Sequence, residues 1–448
     1  MFIKVFNIGN IVFYILLGIS LVLLIKKIVY HIFGLFPAKK FPDAKKDHKF
    51  AILIPARNES AVIEQLLISI KNQTYNRELI DTYVIVESES DPTCEIVKKY
   101  EHTSVFVRKH LENKGKGHAL DEALKDIFAK NKKYEAFFIF DADNILDKNF
   151  IKEMNKTYDA GYKLCLGYRN SKNWNGGWVA SCSALTFSMV NTFQNKSKAR
   201  FNRSVIVSGT GFYISADVLE ELGGWDFYTL TEDYEISMFS TLNNIKSTYN
   251  EYAEFYDEQP TSLKVSWNQR LRWCKGYGQV NKKYTKKLFK SALFDKQNRW
   301  NKMEYIMSIL PVVAILVTTI LYLLFTFVLG IVGLCIGAPL VWEVWRAFGI
   351  VVASVYIFFF AYSAVMLLAE RKHINITFKN ALICCIMSVF YWSLYVPIYI
   401  TSLIKKEVEW KPIVHNVHMD MGNCTEVEVS FEESKSAQDI EDGGSLIV

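Results

Sequence analysis

The chain has 448 residues, half of them hydrophobic and 22% charged, with a formal net charge of +6. This length allows roughly two to three domains, and the composition is too apolar for an ordinary soluble protein. Lysines flank the hydrophobic segments, and no basic stripe carries interleaved aromatic residues, so nucleic acid is not an expected partner. The eight cysteines form no C-x-x-C pair, which argues against a zinc site or disulfide framework and favours thiols in a reducing compartment.

The first hydrophobic segment, Val5–Ile25, is long enough to span a bilayer, because about 20 residues are needed. Lys26 and Lys27 follow it at once, whereas a signal peptide would end in small residues. We therefore expect an uncleaved transmembrane anchor over residues 1–37. Because positive charge follows the span, residues 38 onward are expected in the cytoplasm.

Residues 38–300 are predicted to form a soluble α/β domain. Short apolar runs predict strands, and amphipathic spacing predicts helices between them. The predicted strands are Phe50–Pro55, Asp81–Val86, Val105–Arg108 and Ala136–Phe140, and the predicted helices are Ser60–Asn72, Glu95–Tyr100 and Ala119–Phe128. This alternation indicates a Rossmann-like, mostly parallel sheet with right-handed crossovers. Ligands bind beyond the carboxyl ends of such strands, where the polar segments ARNES, ESESD and DADN lie.

The chain is largely apolar over residues 301–406, which are predicted to hold α-helical transmembrane segments. Gly349–Ala369 and Ala381–Ile404 each suit one span, and Ile306–Gly337 suits one tilted span but is short for two. A single crossing there would leave the tail outside the cell, whereas a hairpin would leave it inside. Lysines lie at both ends of the last segment, so the positive-inside rule does not decide. The acidic tail, residues 423–448, is predicted to be disordered.

Asp141 and Asp143 form an Asp-Ala-Asp motif at the end of the fourth predicted strand. Residues i and i+2 of an extended segment point the same way. The two carboxylates are therefore candidate ligands for a hard divalent cation, Mg²⁺ or Mn²⁺, that also takes phosphate oxygens. The alternative is a pair of acids in a strand-to-loop turn.

Two further polar segments are candidates for nucleotide binding. Glu87, at the exit of the second predicted strand, could accept a hydrogen bond from a nucleobase N–H. Lys116 lies between glycines before a predicted helix, where the backbone can approach an anion and a helix N-terminus favours negative charge. For each segment the alternative is a solvated turn.

Two motifs further along the chain suggest chemistry on a sugar. Asp233 closes a Thr-Glu-Asp motif that also suits the first turn of a helix. As a general base, it would take the proton of an attacking hydroxyl. Gln269 and Arg272 share a helix face, and arginine suits pyrophosphate while Trp273 suits the flat face of a sugar ring. The alternative for this stretch is an amphipathic helix anchored at the bilayer.

These motifs, in this order, resemble those of the inverting family 2 glycosyltransferases of membranes. That group includes cellulose, chitin, hyaluronan, poly-N-acetylglucosamine and mixed-linkage β-glucan synthases. The resemblance covers about residues 50–280 and the apolar segments that follow. It implies a GT-A fold in which Asp141 and Asp143 are the D-x-D metal motif, Asp233 is the catalytic base, and Gln269–Trp273 is the Q-x-x-R-W motif.

The same resemblance assigns substrate contacts. Arg57 and Glu59 fall where the family lines its uracil pocket, and Lys116 falls where the family has a phosphate-contacting lysine. Glu87 stands where an aspartate is usual, which shifts the nucleobase contact by one methylene. Gln269 and Arg272 would stabilise the leaving phosphates, and Trp273 would stack on the acceptor sugar.

A possible gating loop follows the last apolar segment. Residues 407–422, which include Trp410, are placed like the Trp-bearing gating loop of the synthases. This placement implies a cytoplasmic tail, and hence a hairpin or re-entrant structure in Ile306–Gly337. Only one N-terminal span is evident, where cellulose synthases have more.

The resemblance implies a multi-pass plasma-membrane enzyme with a cytoplasmic catalytic domain and the lipid bilayer as a partner. It would polymerise a hexose from a UDP-sugar onto a growing glycan and secrete the product through its own channel, with glucose favoured and N-acetylglucosamine next. Ceramide glucosyltransferases carry similar motifs, so transfer of one sugar to a membrane lipid is the alternative. An inactive transferase-like membrane protein is a third hypothesis, and it would be expected to lack the acids.

Overall fold

The computed structural model describes residues 1–307 and 310–408. Within this part of the chain, an α/β domain built on one eight-stranded sheet lies between a long N-terminal helix and apolar C-terminal helices. The strands are β1 Phe50–Pro55, β2 Ile80–Val86, β3 Thr103–Val107, β4 Ala136–Ile139, β5 Ile145–Leu146, β6 Leu164–Ser171, β7 Phe212–Ser215 and β8 Ser247–Asp257.

The helices lie on both faces of the sheet and beyond its ends. They are α1 Phe2–Gly34, α2 Ile63–Lys71, α3 Thr93–Val97, α4 Lys116–Ala129, α5 Phe150–Asp159, α6 Trp178–Met189, α7 Ser197–Arg200, α8 Ala216–Leu222, α9 Glu232–Leu242, α10 Leu263–Phe294, α11 Arg299–Ile306, α12 Leu310–Cys335, α13 Val341–Ala369, α14 Phe378–Ser393 and α15 Tyr395–Ile404. A 3₁₀ turn covers Arg77–Leu79, and a π-helical segment, Val190–Lys196, joins α6 to α7.

The strands are arranged in the order β3-β2-β1-β4-β7-β6-β8-β5. Strands β1 to β4 pair in parallel, as the alternation of strands and helices predicts. Strand β7 runs antiparallel between β4 and β6, β6 and β8 pair in parallel, and β5 runs antiparallel to β8. The predicted α/β fold with a mostly parallel sheet is confirmed. The sequence analysis predicted β1 to β4 and missed β5 to β8, among them the antiparallel strands β5 and β7.

Several element boundaries differ from the prediction by one to three residues, and for two of them the local reason is clear. Strand β3 begins at Thr103 instead of Val105, because two polar residues extend its pairing with β2 along the edge of the sheet. Helix α2 begins at Ile63 instead of Ser60, because the preceding residues form a turn in which the Val62 N–H donates to the Glu59 carbonyl at 3.1 Å.

The core holds the sheet between two apolar layers. In β1, Phe50, Ile52 and Ile54 pack with α2 on one face, and Ala51 and Leu53 pack with α4 on the other. All five are fully buried, and burying a large aliphatic or aromatic side chain contributes about 1.5–3 kcal/mol. The sheet therefore provides a rigid base for the loops at its carboxyl ends.

Four segments of the described chain are long and apolar enough to cross a membrane: α1, a segment ending with α12, α13, and α14 with α15. Helix α1 packs on α12, α12 on α13, and α13 on α14. Two glycines of α12 permit close approach. A Cβ at Gly330 would lie 2.7 Å from the Trp345 ring, and one at Gly333 would lie 2.7 Å from Phe2.

The hairpin expected within Ile306–Gly337 is wrong, because Leu310–Cys335 is one uninterrupted helix. Gly330 and Gly333, which could have marked a turn, are used instead for helix packing. The return of the chain comes later, at Gly337, whose φ of 58° is in the left-handed region that glycine adopts readily.

Both ends of the last apolar segment, α14 with α15, lie against the α/β domain. At its start, the Asn175 side-chain oxygen accepts hydrogen bonds from the Thr377 N–H at 2.9 Å and from the Asn380 amide at 3.0 Å. At its end, the Lys275 ammonium of α10 donates to the Ser402 and Lys405 carbonyls at 3.1 and 2.6 Å. The segment therefore returns to the side from which it starts.

The loop between α13 and α14 contacts strands β6 and β8. The Tyr168 hydroxyl donates to the Glu370 carboxylate at 2.5 Å, and the Asn170 amide donates to the His373 carbonyl, also at 2.5 Å. The His373 ring lies 3.2 Å from a Glu254 carboxylate oxygen. These contacts connect the membrane helices directly to the sheet.

Candidate active site

The candidate site lies beyond the carboxyl ends of β1, β2 and β4, where the turn that precedes β7 meets the end of β4. The Asp141 N–H donates to the side chains of Thr210 and Asn144 at 2.9 and 3.1 Å. The Thr210 hydroxyl in turn donates to Asn144 at 2.5 Å. This buried network fixes the backbone from which the Asp141 carboxylate extends into the cleft.

Lys116 brings two acidic motifs together. As the first residue of α4, it donates from its ammonium to Asp141 Oδ1 at 2.6 Å and to the Gly209 carbonyl at 2.8 Å, and it lies 3.8 Å from Glu232. Burial acts to raise the pKa of Asp141, but the Lys116 charge and hydrogen bond, with help from the charges of Arg169 and Arg272, outweigh it and lower that pKa. Asp141 is therefore held as a carboxylate.

Asp233 occupies the first turn of α9 on the same cleft. Its carboxylate accepts from the Tyr234 N–H at 2.8 Å and from the Gly209 N–H. Burial raises the pKa of Asp233, and Tyr234, Lys116, Arg272 and Gly209 offset only part of that effect. Burial likewise raises the pKa of the neighbouring Glu232 to about 7. A carboxyl group with a raised pKa at this place suits the transfer of a proton.

Asp143 has a different set of partners from Asp141. One of its carboxylate oxygens accepts from the Glu258 N–H at 3.0 Å, and the other lies 3.4 Å from the Asn144 amide. The Asp143 residue is buried, whereas the Asp141 side chain is 41% exposed. Asp141 therefore faces the open cleft, and Asp143 lies beneath it.

The acids present suit a cation that is shared with a bound diphosphate. Among the described residues, no group of three or more His, Cys, Asp or Glu side chains could hold a metal ion alone. Mg²⁺ commonly uses one or two protein carboxylates together with substrate phosphates. The Asp-Ala-Asp motif fits this requirement, since Asp141 is ionised and partly open to the cleft.

Arg57, Glu59 and Glu87 lie at the ends of β1 and β2. The Arg57 guanidinium is 3.0 Å from the Glu87 carboxylate, which also lies 3.9 Å from Arg108. The Glu59 N–H donates to the Thr93 hydroxyl at 3.1 Å. These contacts form a polar rim beside the cleft, where the sequence placed the nucleobase.

The Gln269–Trp273 motif lies in the first half of α10. Arg272 acts electrostatically on Asp141, Glu232 and Asp233. The Trp273 ring packs edge-on against Phe187 of α6, with centroids 5.7 Å apart and planes at 82°. The Gln269 side-chain oxygen is buried and has no hydrogen-bond partner in the described chain. Trp410 and the proposed gating loop from residue 409 onward lie outside the described residues.

The sequence analysis missed an arginine in the cleft. Arg169 of β6 forms an ion pair with Asp257 at the end of β8, through two of its nitrogens. Burial raises the pKa of Asp257 to about 6, even though Arg169 lowers it. The one available signal was a charged residue directly after the mostly apolar residues 164–168.

A mixed α/β sheet with a D-x-D motif at a strand end, and a helix-borne acid joined to it by a lysine, defines a GT-A glycosyltransferase. Comparison with known families agrees. The model described as "Glycosyltransferase like family 2" matches residues 48–276, more than half of the chain. The chain belongs to this family, and the resemblance inferred from its motifs is confirmed.

Two curated relatives share this region. The chain is 29% identical over 259 residues to "Probable glycosyltransferase YdaM" of Bacillus subtilis, covering 54% of this chain and 58% of that protein. It is 26% identical over 249 residues to "Poly-beta-1,6-N-acetyl-D-glucosamine synthase" of Staphylococcus aureus, covering 55% and 59%. The matched region thus spans less than two thirds of the length of these relatives.

A solved structure supports the fold. A mannosyltransferase from Pyrobaculum calidifontis, in complex with GDP-Man and Mn²⁺, superposes with a TM-score of 0.54 at 14% identity. The superposition covers 88% of this chain and all of that one. At this identity the likeness establishes the GT-A fold alone.

Proposed function

We propose that this protein is a processive, inverting β-glycosyltransferase that polymerises a hexose from a UDP-sugar at the membrane. The observation that carries the proposal is the Lys116 ammonium, which joins Asp141 to the Glu232–Asp233 turn within one cleft. Such a cluster can hold a diphosphate beside a base. The long apolar helices of the same chain support the proposal that this chemistry takes place at a lipid surface.

The donor would lie across the polar rim and the cleft. Arg57, Glu59 and Glu87 would contact the nucleobase, and Lys116 would contact the diphosphate. Asp141 and Asp143 would hold Mg²⁺ or Mn²⁺, which supplies neutralisation of the diphosphate charge as the leaving group departs. The Mn²⁺ in the mannosyltransferase complex supports a divalent cation.

Asp233 would remove the proton from the attacking hydroxyl of the acceptor. The oxygen then attacks the anomeric carbon from the face opposite the diphosphate, so the bond to phosphate breaks and the configuration inverts. Arg272 and Gln269 would stabilise the charge that develops on the leaving group. Trp273, packed against Phe187, would stack on the terminal sugar of the growing glycan.

N-acetylglucosamine is the donor sugar that the relatives favour, because one of them is named a poly-β-1,6-N-acetylglucosamine synthase. Glucose, favoured from the sequence alone, becomes the second choice. A second candidate function is transfer of one sugar to a membrane lipid. It is supported by the return of the α14–α15 segment to the α/β domain, which leaves only three of the four described apolar segments to cross the bilayer and enclose a channel.

The proposed orientation places the α/β domain in the cytoplasm beneath the plasma membrane. Lys26 and Lys27 lie at the end of α1 next to that domain, as the positive-inside rule requires. Helices α1, α12 and α13 would cross, while α14 and α15 lie along the cytoplasmic face. This arrangement lets the positive charges at both ends of the last segment, including Lys405, remain on one side.

The proposal is tested by incubating the purified full-length protein with Mn²⁺ or Mg²⁺ and a panel of UDP-sugars, followed by digestion of the product with linkage-specific hydrolases. We expect a polymer ladder from UDP-N-acetylglucosamine. A single lipid-linked sugar would support the second candidate. Release of no UDP from any donor would contradict both. Asp233→Asn serves as the inactive control.

A further inference from the structure

Arg169 makes three contacts that connect different parts of the cleft. Its Nε donates to Asp257 Oδ2 at 2.6 Å, Nη2 donates to the same oxygen, and Nη1 donates to the Ser208 carbonyl at 2.8 Å. The side chains of Arg169 and Asp257 are only 11% and 3% exposed. Because the guanidinium is planar, these bonds fix its orientation as well as its position.

The carbonyl that Arg169 binds belongs to the turn beside the proposed base. Gly209, the next residue, has a φ of 81°, which favours glycine, and its carbonyl accepts from Lys116 at 2.8 Å. A Cβ at Gly209 would lie 3.6 Å from Arg169 Nη1 and 3.9 Å from Asp233 Oδ2. The turn is thus packed between the arginine and the base.

The opposite side of Arg169 contacts an aromatic pair. Its guanidinium carbon lies 3.7 Å from the centroid of the Phe187 ring, within the range of a strong cation–π contact. Phe187 in turn meets Trp273 edge-on at 5.7 Å. Because Trp273 is the proposed support of the acceptor sugar, we refer to Phe187 and Trp273 together as the acceptor platform.

We propose that Arg169 is a positioning residue that fixes the distance between the acceptor platform and the Ser208–Gly209 turn beside Asp233. The inference rests on the proposed function, because it takes Trp273 as the support of the acceptor and Asp233 as its base. The Arg169 side chain contacts both the turn and the platform. It therefore sets how closely an acceptor hydroxyl approaches the anomeric carbon.

Loss of this connection changes what attacks the donor. Lys116 and Asp141 bond to each other and not to Arg169, whose charge only helps Lys116 to keep Asp141 ionised, so the UDP-sugar still binds. When the acceptor is misplaced, water takes its position. The water oxygen forms the new bond to the anomeric carbon, its proton passes to Asp233, and the bond to the diphosphate breaks. The products are free sugar and UDP, without extension of the glycan.

The test is the ratio of UDP released to sugar incorporated, measured for the full-length protein with a UDP-sugar and divalent metal. In Arg169→Gln we expect this ratio to rise several-fold, while incorporation falls by up to about 10²-fold, the cost of a misplaced reactant. Arg169→Lys keeps the charge but not the paired bonds, and should raise the ratio less. UDP binding should change little in either variant.

Two further variants separate positioning from folding. Phe187→Leu removes the aromatic contact while leaving the Arg169–Asp257 pair, and it should raise the ratio even if Arg169→Gln does not fold. Arg77→Gln is the matched control, because Arg77 also donates to two backbone carbonyls, those of Ile80 and Glu101, but away from the cleft. In that control, any loss of activity should come from loss of folded protein. UDP release and incorporation should then fall by the same factor, and their ratio should stay at the wild-type value.

The outcomes distinguish the inference from the function beneath it. If the wild type incorporates sugar and both Arg169→Gln and Phe187→Leu keep its ratio, the positioning role is overturned and the transferase activity stands. If the wild type neither releases UDP nor incorporates sugar, the proposed function fails and the inference falls with it.

Discussion

The Lys116 ammonium donates to Asp141 Oδ1 at 2.6 Å, so a positive charge lies against the first acid of the D-x-D motif. This ion pair keeps Asp141 ionised, since Lys116 is the largest influence that lowers the pKa of Asp141 against the effect of burial. In the proposed donor complex, the same ammonium would contact the diphosphate. Lys116 would therefore connect donor binding to the acidic cluster.

Replacing Lys116 with Met should weaken donor binding. A hydrogen bond to a charged group contributes about 1.5–3 kcal/mol, so we expect the donor KM to rise by roughly 10- to 100-fold. Lys114→Met is the matched control, because Lys114 lies in the same basic turn and is exposed. Calorimetric titration with UDP measures the change, and equal affinities for the two variants would contradict the role of Lys116.

Asp233→Asn should remove the base without removing the donor site. General-base catalysis contributes typically 10²–10⁴-fold, so turnover should fall by about that factor while UDP affinity stays near the wild-type value. Steady-state UDP release and calorimetry check the two halves of this prediction. The exposed Asp226, changed to Asn, provides the control. A wild-type rate in Asp233→Asn would remove this residue from the mechanism.

Chelation of divalent metal should abolish transfer, and Mn²⁺ or Mg²⁺ should restore it. Because the proposed ligands are Asp141 and Asp143, either Asp→Asn change should weaken metal-dependent UDP binding by at least about tenfold, or 1.4 kcal/mol. Asp147→Asn is the matched control, because Asp147 lies three residues after Asn144 and is not a proposed metal ligand. If UDP binding is the same with and without metal, a metal-independent mechanism is indicated.

The pH dependence should be set partly by Arg272. Burial raises the pKa of Asp233 above the ordinary 3.8, so the group stays protonated, and inactive as a base, to a higher pH than an exposed aspartate. The wild-type kcat/KM should therefore rise with pH through a midpoint above 3.8. Arg272 lowers this pKa, so Arg272→Gln should move the midpoint to higher pH.

Arg272→Lys keeps the positive charge and should leave the midpoint near its wild-type position, even if the rate falls. Profiles of kcat/KM against pH for the wild type, Arg272→Gln and Arg272→Lys test this prediction. Coincident midpoints in Arg272→Gln and Arg272→Lys would show that the charge of Arg272 does not reach the base.

The tail should lie on the same side of the membrane as the α/β domain. Cys335 ends α12 beside the return turn, on the far side from that domain, and Cys424 lies in the tail. A membrane-impermeant maleimide applied to intact cells should label the wild type and Cys424→Ser, but not Cys335→Ser. Labelling that persists in Cys335→Ser would place Cys424, and with it the tail, outside.

The parts of the fold that the sequence predicted are those whose signal is local. Strand β1 is buried on both faces and reads as a continuous apolar run, so its bounds were predicted correctly. The apolar run of β7 is only three residues long, and its place is set by pairing with β4 and β6, which are distant in the sequence. The uninterrupted helix of Leu310–Cys335 depends on glycine contacts with other helices, which the sequence does not reveal.

The site shows the same division. Asp141, Lys116 and Asp233 could be identified because each belongs to a short motif. The Arg169–Asp257 pair could not, since it joins residues that are 88 positions apart and meet only when β6 and β8 pair. Asp141 and Asp143 were expected to point the same way, but β4 ends at Ile139, so strand alternation no longer governs them and their hydrogen-bond partners differ.

Strand β6 alternates between two roles, with Tyr168 and Asn170 bonded to Glu370 and His373 while Arg169 faces the cleft. A truncated fragment that ends before α12 would leave the first two side chains without these partners, at about 1–3 kcal/mol for each buried group left unpaired. Trimming the protein for solubility would therefore loosen the strand that carries the arginine. A detergent that separates the helices from the sheet would disturb the same strand. The ratio of UDP released to sugar incorporated should therefore depend on the detergent used for purification.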